Sequence, residues 1–135
     1  MPMMNKFSRN FLHLLESTYP NWQGLAREVN GYFELEIASP DYPELELTID
    51  TDEEEVIIGF GKYHCHWDGL GFENIEEEWR DVLQFIDNLI TNKIQIVSWY
   101  KDGNWSGSSW VYRGEEYEPN SAFDNIEYTS WLSGI

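Results

Sequence analysis

The residues best able to do chemistry in this chain stand together in one run, Lys62-Tyr63-His64-Cys65-His66-Trp67-Asp68. In an extended strand side chains alternate at a period of two, so His64, His66 and Asp68 share a side. Two imidazoles and a carboxylate so placed are ligands for a transition metal. His13 is the one other histidine that could approach them. A His-x-His pair is equally an ordinary feature of a hydrogen-bonded sheet surface. A metal-binding protein or metal-dependent enzyme using His64, His66 and Asp68 is therefore the alternative reading. Cys65 beside two histidines suggests a thiol nucleophile with its base, but neighbours on a strand point to opposite faces, which separates them. The run shares parity with Val56, Ile58 and Phe60. If one unbroken strand carries all of them, the histidines lie on the core side, past the edge of the sheet. No nucleophile elbow, phosphate-binding glycine loop or His-Glu-x-x-His helix is present. Close carboxylate pairs are too easily found in a chain this acidic to signal catalysis. The chain reads as non-catalytic, with no cofactor.

The second chemical resource is charge. The chain has 25 acids against 8 bases, a formal net charge of −17, and a pI near 4.2. The acids cluster: between residues 31 and 60 fall Glu34, Glu36, Asp41, Glu44, Glu46, Asp50, Asp52, Glu53, Glu54 and Glu55, with no Lys or Arg. Such a concentration repels itself in the folded state. It serves either as a solubilising face or as a surface matched to a basic partner, where opposite fields speed encounter and set specificity. Phosphate backbones are repelled, which argues against direct nucleic-acid binding. A length of 135 residues fits a single domain, 1–135. The single cysteine, Cys65, allows neither an intrachain disulfide nor a cysteine zinc cluster. No apolar run approaches a membrane span, and the first ten residues lack a signal-peptide pattern, so a cytoplasmic protein is expected.

The elements that must position these groups follow from periodicity. Phe7, Phe11, Leu14 and Leu15 predict a helix over about residues 4–18, stopped by Tyr19-Pro20. Residues 20–30 read as a loop or partly helical connection, and Asn30-Gly31 as a turn. Phe33, Leu35 and Ile37 alternate with Glu34 and Glu36; Leu45, Leu47 and Ile49 alternate with Glu44, Glu46 and Asp50. Both are half-buried strands with acidic outer faces. A charged turn leads to a third strand, 55–61, whose pattern continues through Lys62 to Trp67; Gly59 and Gly61 suggest a bulge or a close backbone approach.

Asn74 as N-cap, followed by Glu76, Glu77 and Glu78, opens a second helix whose stripe is Ile75, Trp79, Val82, Leu83, Ile86, Leu89 and Ile90. A hairpin follows, from Ile94 to Tyr100 and from Trp105 to Arg113, turned by Asp102-Gly103. Its rings cannot all face the core. In the tail, Tyr117, Phe123, Ile126, Tyr128, Trp131 and Leu132 should pin the chain down. The expected fold is α+β: an antiparallel sheet of about five strands with two helices on one face, in the order α-β-β-β-α-β-β.

A small acidic α+β domain with the strand Glu55-Val56-Ile57-Ile58-Gly59-Phe60-Gly61-Lys62-Tyr63-His64-Cys65-His66-Trp67, an acidic helix start and an aromatic hairpin resembles the immunity proteins of bacterial polymorphic-toxin and contact-dependent growth-inhibition systems. The resemblance extends over residues 30–115. It implies a cytosolic, non-catalytic protein that binds and silences one cognate toxin domain. Many such toxins are nucleases with basic clefts, which an acidic inhibitor can occupy as a phosphate mimic. The residues expected to meet the partner are Glu34, Glu36, Glu44 and Glu46 on the strands, Asp52, Glu53, Glu54 and Glu55 in the turn, and Glu76, Glu77 and Glu78 at the helix start. Asp68, Trp105 and Tyr112 are the expected anchors.

Overall fold

Alternating apolar and acidic side chains build a run of antiparallel strands, each connected to the next by a short turn. The computed structural model describes residues 4–116 and 123–133. Helix α1 (Lys6–Thr18) is followed by a 3-10 turn (Pro20–Trp22) and five strands: β1 (Arg27–Val29), β2 (Tyr32–Ala38), β3 (Glu46–Thr51), β4 (Val56–Phe60) and β5 (Tyr63–Trp67). Helix α2 (Ile75–Ile90) then leads to β6 (Ile94–Lys101), β7 (Asn104–Tyr112) and β8 (Asn125–Thr129). The first five strands form one antiparallel sheet in sequence order; the last three form a second sheet, ordered β7-β6-β8. The fold is α+β, with two helices as the periodicity implies. The hairpin does not extend the first sheet; it forms the second one, in which β6 is central between β7 and β8.

The core is set by the inner face of the first sheet. Phe33, Leu35, Leu47, Ile49, Val56, Ile58 and Phe60 are fully buried there against Phe11 and Leu15 of α1, Val82, Ile86 and Leu89 of α2, and Ile94 and Ile96 of β6. Each such side chain contributes about 1.5–3 kcal/mol by leaving water. Both helices are capped as their sequences require: Asn5 Oδ1 accepts from the Ser8 N–H at 2.7 Å, and Asn74 Oδ1 from the Glu77 N–H at 2.9 Å. A small buried polar network ties α1 to the sheet. The Ser8 and Thr51 hydroxyls lie 2.6 Å apart, and Thr51 Oγ1 also accepts from the Phe33 N–H.

Several details differ from the sequence reading. The connection after residue 20 contains the short strand β1, which pairs with β2 through Asn30-Gly31, both at positive φ, the conformation a tight type I′ hairpin requires. The strand expected to run on to Trp67 instead reverses at Gly61-Lys62, with Phe60 opposite Tyr63 and Ile58 opposite Cys65. A two-residue reversal exchanges parity, so Tyr63, Cys65 and Trp67 point inward and His64 and His66 outward. On α2, Ile75 is exposed and Phe85, outside the expected stripe, is buried. In the tail, Trp131 is buried with its ring 5.8 Å from that of Phe60. Tyr117 lies outside the described residues.

Candidate functional site

The two helices and the second sheet cover only the inner face of the first sheet, so its other face is open. Register decides what this face displays. Glu34 stands opposite Asp50, Asp50 opposite Ile57, and Ile57 opposite His66. One pleat along, Glu36, Thr48, Gly59 and His64 form the neighbouring row, and Glu46 faces Ala38. The face therefore gathers Glu34, Glu36, Glu46 and Asp50, joined at the β4–β5 side by Glu55, whose carboxylate hydrogen-bonds His66 Nδ1. At the β1 edge, Arg27 reaches Glu36 at 3.2 Å and Glu34 at 3.8 Å. Lys62, in the β4–β5 turn, is engaged elsewhere: its Nζ donates to the Tyr100 hydroxyl at 3.1 Å and lies 4.6 Å from that ring's centroid.

Crowding of like charges has a local consequence. Partial burial first, then Glu34 and Glu36, push the Asp50 carboxyl up to about 6, against the opposing pull of the Leu35 N–H and Arg27. Asp50 was not among the residues singled out from the sequence. Its signal was there, because it shares parity with Glu46 and Thr48 on the same strand.

The other expected partner residues fall in separate places. Asp52, Glu53 and Glu54 form the exposed β3–β4 turn, and Asp68 the exposed start of the β5–α2 loop. Glu76 and Glu77 are exposed on the first turn of α2. Glu44 lies in the β2–β3 loop, at the far end of β3 from the charged turn. Glu78 is a correction: it is only 3 % exposed, because its side chain points into the body of the protein under the β5–α2 loop rather than into solvent. Trp105 and Tyr112 are indeed 46 % and 51 % exposed. They belong to the second sheet, and Tyr112 lines a hollow with Tyr63, Cys65 and Trp110 on the inner side of β5, away from the acidic face.

The metal and thiol arrangements come apart geometrically. His64 and His66 occupy the outer face, while His13 sits on α1, which packs on the inner side, so the sheet stands between them. Among the described residues no three His, Cys, Asp or Glu side chains are grouped to hold a metal ion. Cys65 faces inward, away from both histidines, and burial pushes its thiol up to about 11. A thiol so shifted stays protonated at neutral pH. Among the described residues no helix is long and apolar enough to cross a membrane.

Comparison of the chain with protein-family models, with curated proteins and with solved structures finds no match.

Proposed function

We propose that this protein is a toxin-neutralising immunity protein that captures a basic protein domain, a cognate nuclease toxin, on the open face of its first sheet. The observation that carries the reading is the segregation of charge: Glu34, Glu36, Glu46, Asp50 and Glu55 come to one uncovered face by strand register, with Arg27 at its edge. Side chains arranged this way raise the energy of the free protein, as the displaced Asp50 carboxyl records. A cationic partner relieves that repulsion on binding, and its approach is accelerated by the same field. A face of fixed strands also presents its carboxylates without the ordering cost that loops incur. For a nuclease, these carboxylates would take the places of substrate phosphates.

The test is co-expression with the protein encoded immediately upstream. The expected result is rescue of growth together with a copurifying complex, both lost when Glu34, Glu36 and Asp50 are replaced together by Lys. Absence of protection and of any complex, or protection untouched by that charge reversal, would overturn the reading.

A further inference from the structure

Beside the open face, at the end of the sheet where the β3–β4 turn lies, α1, that turn and the β5–α2 loop enclose a cleft of about 250 Å³ lined by Phe7, Glu54, Asp68, Gly69, Ile75 and Glu78. It adjoins a wider hollow that shares Phe7, Glu54 and Asp68 with it. The wider hollow is tied together by Asn5, whose backbone N–H donates to the Gly31 carbonyl at 2.7 Å and whose Nδ2 donates to the Glu53 carbonyl at 3.2 Å.

Glu78 makes this more than a group of surface acids. Its side chain is almost wholly buried, yet Oε1 has no hydrogen-bond partner. Oε2 lies against Gly69, whose backbone N–H favours the charged form, while burial and the neighbouring Asp68 oppose it. A buried carboxylate oxygen left unpaired is costly. This position lies on the buried face of α2 with Val82 and Phe85, whereas Glu76 and Glu77 face solvent.

We propose that this cleft is a receptor for one guanidinium side chain, with Glu78 as the buried counter-charge and Asp68 and Glu54 at the mouth. A metal ion is the poorer occupant, because the carboxylates do not converge as metal ligands must. A guanidinium spreads several donors over a plane and can meet carboxylates that stand apart. The half-buried Phe7 ring, held edge-on by Trp79 at 5.5 Å between centroids, supplies an aromatic wall against which that plane can lie. The inference rests on the proposed function for the source of the cation, an arginine of the partner; the chemistry of the cleft stands without it.

The full-length, 15N-labelled protein is titrated with N-acetyl-arginine amide, with its neutral analogue N-acetyl-citrulline amide, and with calcium chloride. Saturable shifts at the Gly69, Ile75 and Glu78 amides are expected with the arginine amide alone, half-saturating near ~1 mM. Glu78→Gln should weaken this about tenfold, and the exposed Asp68→Asn about twofold to threefold. The Asp68 variant keeps the test valid if the Glu78 variant does not fold. Shifts that follow every carboxylate alike, an equal response to citrulline, saturation by calcium at lower concentration, or no response at all each overturn the proposal. A chain that neutralises its toxin but ignores the arginine amide loses this inference and keeps its function; one that binds the amide but protects no cell keeps the cleft and loses the function.

Discussion

Asp50 shows how a single side chain records the design of the surface around it. Its carboxyl sits at about 6, well above the ordinary carboxylate value of 3.8, because ionising it beside Glu34 and Glu36 in a partly buried row is unfavourable. A carboxyl raised by folding binds its proton more tightly in the native state. It therefore supports stability below its unfolded value and withdraws that support as pH rises through about 6. Asp50→Asn should be more stable than the parent at pH 7, by about 1–2 kcal/mol after allowance for solvent screening, with the difference gone at pH 4. Urea unfolding of both proteins at the two pH values measures it; an equal or lower stability of Asp50→Asn at pH 7 would contradict the account.

At the scale of elements, the second sheet depends on a cross-strand contact that its sequence barely advertises. Register slips between Trp99 and Tyr100, so that Trp99 faces Gly107 while Tyr100 faces Trp105. A Cβ at Gly107 would stand 2.7 Å from the Trp99 ring, which itself packs 5.9 Å from the Phe123 ring. Gly107→Ala should destabilise the protein by about 1–3 kcal/mol, visible in thermal melting, because the indole cannot yield without losing its own contacts. Removing the α2 cap is a second check. Asn74→Ala leaves the Glu77 N–H without its acceptor and should cost about 1 kcal/mol in the same assay. The cap and the stripe residues Val82, Ile86 and Leu89 were legible in the sequence, since both are local properties of one helix. Phe85 stands three after Val82 and four before Leu89, so the same spacing places it inward; its ring partners Tyr63, Trp67 and Trp110, brought in by β5 and β7, were not legible.

For the whole molecule, the decisive property is that five carboxylates share the uncovered face of the first sheet, although other acids lie on α2 and the second sheet. Fields from exposed carboxylates are screened over about 10 Å at 0.1 M salt. If the acidic face steers a basic partner, the association rate should fall about tenfold or more between 0.05 and 0.5 M sodium chloride, with a much smaller change in dissociation. Stopped-flow measurement of the complex separates the two, and an association rate indifferent to salt counts against the proposed mode of binding. Tyr112, on the inner side of β5 away from the acidic face, should matter least among the residues expected to meet the partner; Tyr112→Ala should leave the dissociation rate within about twofold of the parent.

Alternation by itself determined that Glu34, Glu36, Glu46 and Asp50 point away from Leu35, Leu47 and Ile49, because side-chain direction in a strand is a matter of parity. It could not determine the direction of His64 and His66, since a reversal at Gly61-Lys62 inverts parity and the same residues fit an unbroken strand equally well. Glu78 stands three after Ile75 and four before Val82, so helical spacing already places it on the buried face; what only the tertiary structure decided is that its Oε1 is left there without a partner. Which groups meet that carboxylate depends on how the β5–α2 loop, through Gly69, lies over α2, and that is fixed only when β5 and α2 pack on the same core.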